Sequence, residues 1–320
     1  MKIAVLALDG AFDTGLSTVL DAFTTANELA ALHGHDASPF ETHVVGARAR
    51  VASAQGMRIP VQPLASCPRP DWVIVPALGC KMPAPLLQAL QRRDVADGVQ
   101  ALRDWSAAGV RIAAACIGTF VLAESGLLDN HEATTTWWLA PLFRQRYPAV
   151  RLDASRMIVA SGRFTTAGAA LGHLDLALWL VRQSSPELAA MVARYLIVDA
   201  RPSQSVYAIS DHLAHADPMV ERFDRWAREH LHEPLTLDDA AQALATSTRT
   251  LSRRLREVLG KSPISHVLDL RVERAVHLLK TSRHSVDSIA QQVGYADGVT
   301  LRSLLRQRLN KGVREIRSAA

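Results

Sequence analysis

The sequence predicts a chain of two structural classes, a doubly wound parallel α/β sheet followed by an all-α segment. Strand and helix signals alternate through residues 1–183, a pattern typical of parallel sheets. After residue 218 only helical patterns occur. Residues 218–320 hold 18 Lys and Arg against 12 Asp and Glu, a net charge of +6, whereas residues 1–217 have a net charge of −1. This asymmetry indicates a phosphate-binding module beside a neutral one, although a solvated basic face would have the same charge.

Apolar runs define the strands of the first part. The parallel strands are predicted at "KIAVLAL", "FETHVVGA", "DWVIVPALG" and "VRIAAAC", and "MIVASGRFTTAG" predicts a hairpin-like pair. Helical spacing of apolar residues follows the first strand, with Leu16, Leu20, Phe23 and Ala30 on one face. Further helices are predicted at "VADGVQALRDWSAAG" and "ALGHLDLALWLVRQ".

The carboxyl ends of parallel strands are where such sheets bind ligands. Asp9–Asp13, Ala77–Gly79 and Cys116 fall at predicted strand ends. Within "RIAAACIGTF", Cys116 lies between a strand and a helix, a place where several hydrolase folds put a nucleophile. The sequence therefore raises the question of whether this cysteine is catalytic.

The composition indicates the cellular compartment and the absence of membrane and metal-binding segments. Three cysteines without close pairing argue against a disulfide framework and for a reducing cytoplasm. The sequence shows neither a signal peptide nor an apolar run of membrane-spanning length, so no membrane location is expected. The histidines, among them His33, His35, His212 and His215, lack partners at ligand spacing, and no metal site is expected.

Residues 184–217 are expected to join the two parts through a helix that begins near Pro186 and a polar, aperiodic linker. Beyond them, two copies of one pattern are offset by 49 residues: "LTLDDAAQALATSTRTLSRRLREVLG" and "HSVDSIAQQVGYADGVTLRSLLRQRLN". Each copy has a Ser or Thr N-cap followed by an acid in the first helical turn, then a short helix, a turn and an Arg-rich helix. The pattern predicts two helix-turn-helix units, at about 236–259 and 285–309.

Residues 218–317 resemble the AraC/XylS-type DNA-binding domain through "LGKSP", "LRVERAVHLL" and "IAQQVGYAD". The resemblance implies that the linking helix presents two recognition helices to successive major grooves of an operator. It assigns DNA contacts to Arg249, Ser252, Arg253, Arg256, Thr300, Arg302, Ser303 and Arg306, with Arg256 and Arg306 as phosphate contacts or solvated helix ends.

The second unit departs from the family pattern. Leucines stand at positions 301 and 305, where the family has aromatic residues, and Ser303 replaces an arginine. "NKGVREI" replaces the usual closing motif. We therefore expect the second unit to read bases weakly or mainly to grip phosphates.

Residues 1–183 resemble the PfpI-like branch of the class I glutamine amidotransferase-like fold, which is flavodoxin-like. The likeness rests on "AAACIGTFVLAESGLLDNHEATTTWW", "VIVPALG" and "TTAGAALGHLDLALWLV". Together with the carboxyl-terminal domain, it makes the chain similar to GlxA-like transcription regulators. Enzymes of this fold carry a histidine base where this chain has Thr136, and a carboxylate where it has Gly15. Nearby substitutes would be His131 for the base and Asp13 for the carboxylate.

The resemblance implies a ligand pocket in place of a catalytic centre. Its expected residues are Asp13, Cys116, Ile117, Gly118, Thr136, Trp137 and Trp138. Backbone N–H groups at Ile117 and Gly118 would suit an anion, and the tryptophans would stack on a ligand or cation, although one of them would equally fit the core or a dimer interface. Cys116 itself is a small buried residue, a pocket wall or an oxidation sensor.

The sequence thus favours a transcription regulator, and an activator over a repressor, controlled by a small effector of the amino-acid or betaine class. The expected partners are double-stranded operator DNA, RNA polymerase and a second copy of the chain, and no cofactor is expected. The alternative is a PfpI-like amidase, peptidase or glyoxalase-like enzyme with an appended DNA-binding domain. That alternative requires a base for Cys116.

Overall fold

The computed structural model describes residues 1–33, 39–48, 50–198, 201, 203–204, 217–309 and 312–318. The chain divides into two compact units, Met1–Ser205 and Val206–Ala320.

The first unit is built on a central sheet with the strand order β10-β11-β7-β6-β1-β2-β5 in the described residues. In chain order the strands are β1 (Lys2–Leu6), β2 (Glu41–Gly46), β3 (Val51–Ala52), β4 (Arg58–Ile59), β5 (Gln62–Pro63), β6 (Trp72–Val75), β7 (Arg111–Ala115), β8 (Glu132–Ala133), β9 (Arg151–Leu152), β10 (Ile158–Ser161) and β11 (Phe164–Ala167). The pairs within the central sheet are parallel except for β10 with β11, which is antiparallel. The predicted α/β sheet and its terminal hairpin are therefore present.

Helices cover both faces of this sheet. They are α1 (Asp13–Leu32), α2 (Pro83–Leu90), α3 (Arg93–Ala107), α4 (Gly118–Glu124), α5 (Ala140–Arg146), α6 (Gly172–Ser184) and α7 (Pro186–Tyr195). One apolar core joins the sheet to α1, α6 and α7, with Phe23 and Phe40 fully buried. A second core lies on the opposite face around Phe120 and Phe143, whose rings meet edge to face. This double covering is the doubly wound arrangement that the sequence predicts.

The first unit extends past residue 183, the boundary expected from the sequence. Leu188, Ala189 and Val192 of α7 are buried in the same core as α1 and α6. The helix expected to begin a connecting segment therefore belongs to the packed body. The short elements α2, α5, β3, β4, β8 and β9 were not predicted, since a few residues carry little periodic signal.

The second unit is helical throughout its described residues. Its helices are α8 (Pro218–Glu229), α9 (Leu237–Ala243), α10 (Thr248–Leu259), α11 (Pro263–Thr281), α12 (Val286–Gln292), α13 (Gly298–Leu309) and α14 (Val313–Ser318). The predicted helices are present, and α14 is an addition. The expected N-caps form, because the hydroxyls of Thr236 and Ser285 accept from the backbone N–H groups of Asp239 and Ser288. None of the helices in the described ranges has the length and apolar character needed to cross a membrane.

A buried polar contact joins α8 to α11. His266 is fully buried, and its Nε2 lies 2.7 Å from Oδ1 of Asp224. The other carboxylate oxygen of Asp224 accepts from Arg228 Nε at 2.8 Å. Burial alone would raise the pKa of Asp224, but the hydrogen bonds from His266 and Arg228 outweigh it and lower the pKa. The ionised carboxylate is therefore part of the packing of the second unit.

We expect Asp224→Asn to lower the free energy of unfolding of the second unit by about 1–3 kcal/mol, because His266 and Arg228 lose their charged acceptor. The pKa of Asp224 is below its unfolded value, so the stabilisation is complete above about pH 4 and is lost as pH falls through the folded pKa. Denaturant titrations of the full chain at several pH values measure both effects. Glu273→Gln removes the exposed partner of Arg228 and is the matched control. Equal stability of the two variants would contradict the assignment.

Candidate ligand site and nucleic-acid interface

The turn between β7 and α4 has a strained backbone. Cys116 adopts a φ of 56°, in the left-handed region that non-glycine residues rarely occupy. Its N–H donates to the carbonyl of Ala167 at 2.8 Å, which fixes the turn to the end of β11. Two residues later a Cβ on Gly118 would lie 2.2 Å from the carbonyl oxygen of Val75, so only glycine fits. The turn thus has the geometry that presents a nucleophile in related folds.

The thiol inside this turn is not activated. Cys116 is 3% exposed. Burial raises the pKa of Cys116 to about 12, although the backbone N–H of Ile117 and the hydroxyl of Thr136 act in the opposite direction. Because the thiolate is the nucleophilic form, this burial opposes nucleophilic chemistry by Cys116 at neutral pH.

Three consecutive threonines form the wall beside the thiol. Thr134, Thr135 and Thr136 are all fully buried. The hydroxyl of Thr135 donates to the carbonyl of Cys116 at 2.8 Å. The Thr136 hydroxyl lies next to the thiol, whose pKa it lowers, and has no other hydrogen-bond partner among the described residues. A hydroxyl therefore occupies the position beside the thiol where the enzymes carry their base.

His131 lies at the other end of β11. Its Nδ1 is 3.0 Å from the hydroxyl of Ser161, and its ring meets Phe164 edge to face at 4.9 Å. Phe164 begins β11, whereas Cys116 binds Ala167 at the end of that strand. A rise of about 3.3 Å per residue places these ends roughly 10 Å apart. This separation excludes His131 as a base for Cys116.

The space beside Gly15, where the resemblance leads us to expect a carboxylate, is filled by another side chain. A Cβ on Gly15 would lie 2.6 Å from Nε2 of His173, which is fully buried. That nitrogen accepts from the N–H of Ala77 at 3.0 Å, so Nδ1 carries the proton and donates to the carbonyl of Ala170 at 2.8 Å. Burial lowers the pKa of His173 to about 4, and both ring nitrogens are committed to backbone groups. His173, the second residue of α6, was not among the site residues expected from the sequence.

Asp13 begins α1, and Trp137 and Trp138 lie in a short 3-10 helix, Trp137–Leu139. Asp13 accepts from the N–H of Gln55 at 3.1 Å through Oδ2, while its buried Oδ1 has no partner in the described part of the chain. Trp138 donates from Nε1 to the carbonyl of Lys81 at 3.2 Å, and its ring is perpendicular to that of Trp137. Both rings are half-buried. This edge of the sheet therefore carries an unsatisfied carboxylate oxygen and partly exposed aromatic surface.

Within the described ranges, no group of His, Cys, Asp or Glu side chains is arranged to hold a metal ion. His35, His212 and His215 lie outside the described residues, and His33 is exposed.

The first recognition helix, α10, has two distinct faces. Arg249, Arg253 and Arg256 are exposed and follow i, i+4, i+7 spacing, whereas Leu251 and Leu255 are fully buried on the other side. Ser252 is half-buried. Arg253 also pairs with Glu257 one turn on, where its Nη1 lies 2.9 Å from Oε1. The helix therefore presents a row of guanidinium groups suited to a nucleic-acid backbone or base edge.

The second recognition helix, α13, uses its hydroxyls internally. Thr300 donates to Asp297, the acid that caps the helix, and Ser303 donates to the carbonyl of Val299 at 3.1 Å. Arg302 and Arg306 are exposed. Asp297 and the 68%-exposed Val299 were not expected at this surface. The leucines at positions 301 and 305 are fully buried, so their departure from the family's aromatic residues alters the core of the unit and not its outer face.

Comparison with known proteins agrees with this geometry. A family model described as a helix-turn-helix domain matches residues 240–319. The HTH-type transcriptional regulator GbdR of Pseudomonas aeruginosa is 26% identical over 300 residues, covering 92% of this chain and 78% of that protein. The HTH-type transcriptional regulator GlxA of Rhizobium meliloti is 27% identical over 212 residues, covering 61% of each.

The chain is similar to GlxA-like regulators of the AraC family, and its second unit carries a DNA-binding helix-turn-helix domain. Its first unit has the PfpI-like fold. A THiJ/PfpI family protein from Pseudomonas syringae superposes with a TM-score of 0.53 at 20% identity, covering 76% of this chain and 90% of that one.

In this regulator, Arg253→Ala should weaken binding to an operator selected from random-sequence DNA by about 1–3 kcal/mol, provided that the guanidinium contacts guanine. Fluorescence anisotropy with the full chain measures the change. The control is Arg225→Ala, which removes an exposed arginine of α8 that pairs with Glu221 one turn away. If both variants bind like the wild type, Arg253 does not face the DNA.

Proposed function

We propose that a small metabolite bound beside Cys116 controls how this regulator binds its operator. The observation that carries the proposal is the strained turn at Cys116, whose thiol is buried and has a raised pKa. The resemblance to the PfpI-like enzymes assigns their base position to Thr136 and their carboxylate position to Gly15. A turn that keeps its shape without its chemistry is suited to forming the wall of a binding site.

The ligand site of this proposal comprises Asp13, Cys116, Ile117, Gly118, Thr136, Trp137 and Trp138. Two oxygens are acceptors for a donor on the ligand: the buried Oδ1 of Asp13, which has no partner among the described residues, and the Thr136 hydroxyl beside the thiol. The half-buried tryptophan rings offer faces for a cationic group, and the N–H groups at the start of α4 offer donors for a carboxylate. A zwitterion of the amino-acid or betaine class carries both charges, and we therefore propose that class.

On the DNA side, we assign base or phosphate contacts to Arg249, Ser252 and Arg253, and phosphate contacts to Arg256. For the second helix, Thr300, Arg302, Ser303 and Arg306 face the backbone of the adjacent groove. The hydroxyls of Thr300 and Ser303 already have acceptors within the protein, which favours phosphate gripping by the arginines over base reading by the hydroxyls.

The assembly we propose is a cytoplasmic homodimer held together by the first unit, which activates transcription through RNA polymerase. Paired half-sites suit a two-fold protein. The first unit, Met1–Ser205, would supply sensing and dimerisation, and residues 218–320 would supply DNA binding.

The competing function, a PfpI-like amidase, peptidase or glyoxalase-like enzyme, would need a thiolate. The buried thiol has a raised pKa, and position 136 holds a hydroxyl that cannot accept its proton at neutral pH. We therefore propose that the first unit is not an enzyme.

A thermal-shift screen of amino acids and betaines against the full chain tests the proposal. A true effector at one hundred times its Kd stabilises the folded state by about 2.7 kcal/mol. The same compound should change operator affinity. Amide hydrolysis or methylglyoxal turnover that disappears in Cys116→Ala would instead establish the enzyme.

The effector response should survive Cys116→Ser within a few-fold, since the change removes thiol chemistry but little volume. Thr136→His should weaken the response more, because the larger ring crowds a fully buried position beside the thiol. Effector-dependent operator binding by the two full-length variants measures the difference, and thermal unfolding of each variant without effector reports that it is folded. Loss of response in a folded Cys116→Ser variant would point to covalent or redox sensing.

A further inference from the structure

Gln204 is buried at the end of the first unit. It is fully inaccessible, although it lies in a segment whose composition indicates a polar linker. Its Nε2 donates to the carbonyl of Thr135 at 2.8 Å, with the hydroxyl of Thr134 at 3.2 Å and the carbonyl of Arg156 at 3.3 Å also within reach. A Cβ on Gly168 would lie 2.1 Å from this nitrogen, so a glycine leaves the space that the amide fills.

The chain around Gln204 is fastened to the same body. Its backbone N–H donates to the carbonyl of Ser155 at 2.9 Å, and Ser203 forms a bridge with Arg156. Arg201 pairs with Asp175 of α6 at 2.6 Å. Side chains and backbone therefore hold this last stretch of the first unit in place.

Two hydrogen bonds connect the elbow with this stretch. The hydroxyl of Thr135 binds the carbonyl of Cys116, and the carbonyl of Thr135 binds the amide of Gln204. The second unit begins at Val206, two residues farther along the chain. A shift of the threonine wall at the ligand site would therefore change the hydrogen bond to Gln204, which precedes the last residue of the first unit.

In the Gln204 amide, the nitrogen donates hydrogen bonds but the oxygen accepts none among the described residues. Its Oε1 is buried with no hydrogen-bond partner among the described residues. A buried acceptor without a donor raises the free energy of the conformation in which Gln204 binds Thr135. The free-energy difference from a conformation that gives Oε1 a donor is therefore smaller. The contact is therefore suited to switching.

We propose that Gln204 is a positioning residue that couples the ligand site at Cys116 to DNA binding, through its hydrogen bond to the backbone of Thr135. This rests on the proposed function. Because coupling between two sites is reciprocal, operator DNA must then alter the environment of Cys116.

The test uses the full chain with Cys67→Ser and Cys80→Ser, so that Cys116 is the one remaining thiol. Because Cys116 is 3% exposed, N-ethylmaleimide labels it when the packing around it opens, and the labelling rate reports on that opening. The labelling rate is measured by mass spectrometry with and without a saturating amount of operator DNA selected in vitro. In this background we expect the DNA to change the rate about fivefold or more, which is the size of common coupling effects.

Gln204→Met keeps the volume of the side chain and removes its N–H donors. We expect it to label faster than the parent by about fivefold and to show no response to DNA. Ser203→Ala, which removes the hydroxyl bond to Ser155 and leaves Gln204 in place, is the control and should respond like the parent.

A DNA effect that persists in Gln204→Met would overturn the proposal, since the coupling would then bypass this residue and faster labelling alone would reflect a structural role. A parent that shows no DNA effect would overturn it as well. Neither result bears on whether a metabolite controls operator binding, which the thermal shift and the operator titrations measure separately.

Discussion

The left-handed backbone at Cys116 is the constraint on which the first unit's functional edge depends. It is held by the bond from its N–H to Ala167, by the hydroxyl of Thr135 on its carbonyl, and by the close approach of Gly118 to the carbonyl of Val75. A non-glycine residue in this region costs of order 1–3 kcal/mol, and it persists because the surrounding packing determines it several times over. The same contacts place the threonine wall and the start of α4 around one point.

Among the described residues, the turn has no base beside the Cys116 thiol that would ionise it. In a catalytic turn a base would lower the pKa of the thiol enough to offset burial. Here burial raises the pKa of Cys116, and the hydroxyl of Thr136 offsets only part of that increase. The other expected partner is also lost in a specific way, because His173 occupies the space beside Gly15 and uses both nitrogens to bind backbone. Restoring chemistry would thus require repacking as well as new residues, whereas binding a ligand requires neither.

The parts of this structure that the sequence predicts are those specified locally. The helices of the second unit follow from apolar spacing and from caps such as Thr236 and Ser285, whose partners lie three residues away. The central strands and the exposed arginine row of α10 follow from periodicity in the same way. By contrast, the contact of His173 with Gly15 and the burial of Gln204 against Thr135 join residues far apart in the chain, and only the folded packing brings them together. The hydrogen bonds of Thr300 and Ser303 within α13 could not be predicted from residue type either. A hydroxyl on the outer face of a helix can donate to DNA or to a group of the helix itself.

The state of the Cys116 thiol is the most direct test of the claim that the elbow is a wall and not a nucleophile. A pH titration of thiolate ultraviolet absorbance, taken as the difference between the wild type and Cys116→Ser, measures its pKa. With burial raising that pKa to about 12, the difference spectrum should show no thiolate from neutral pH to about pH 9, above the usual cysteine value of about 8.5. A thiolate that appears near or below neutral pH in the folded chain would mean that Cys116 is activated, and it would contradict the account.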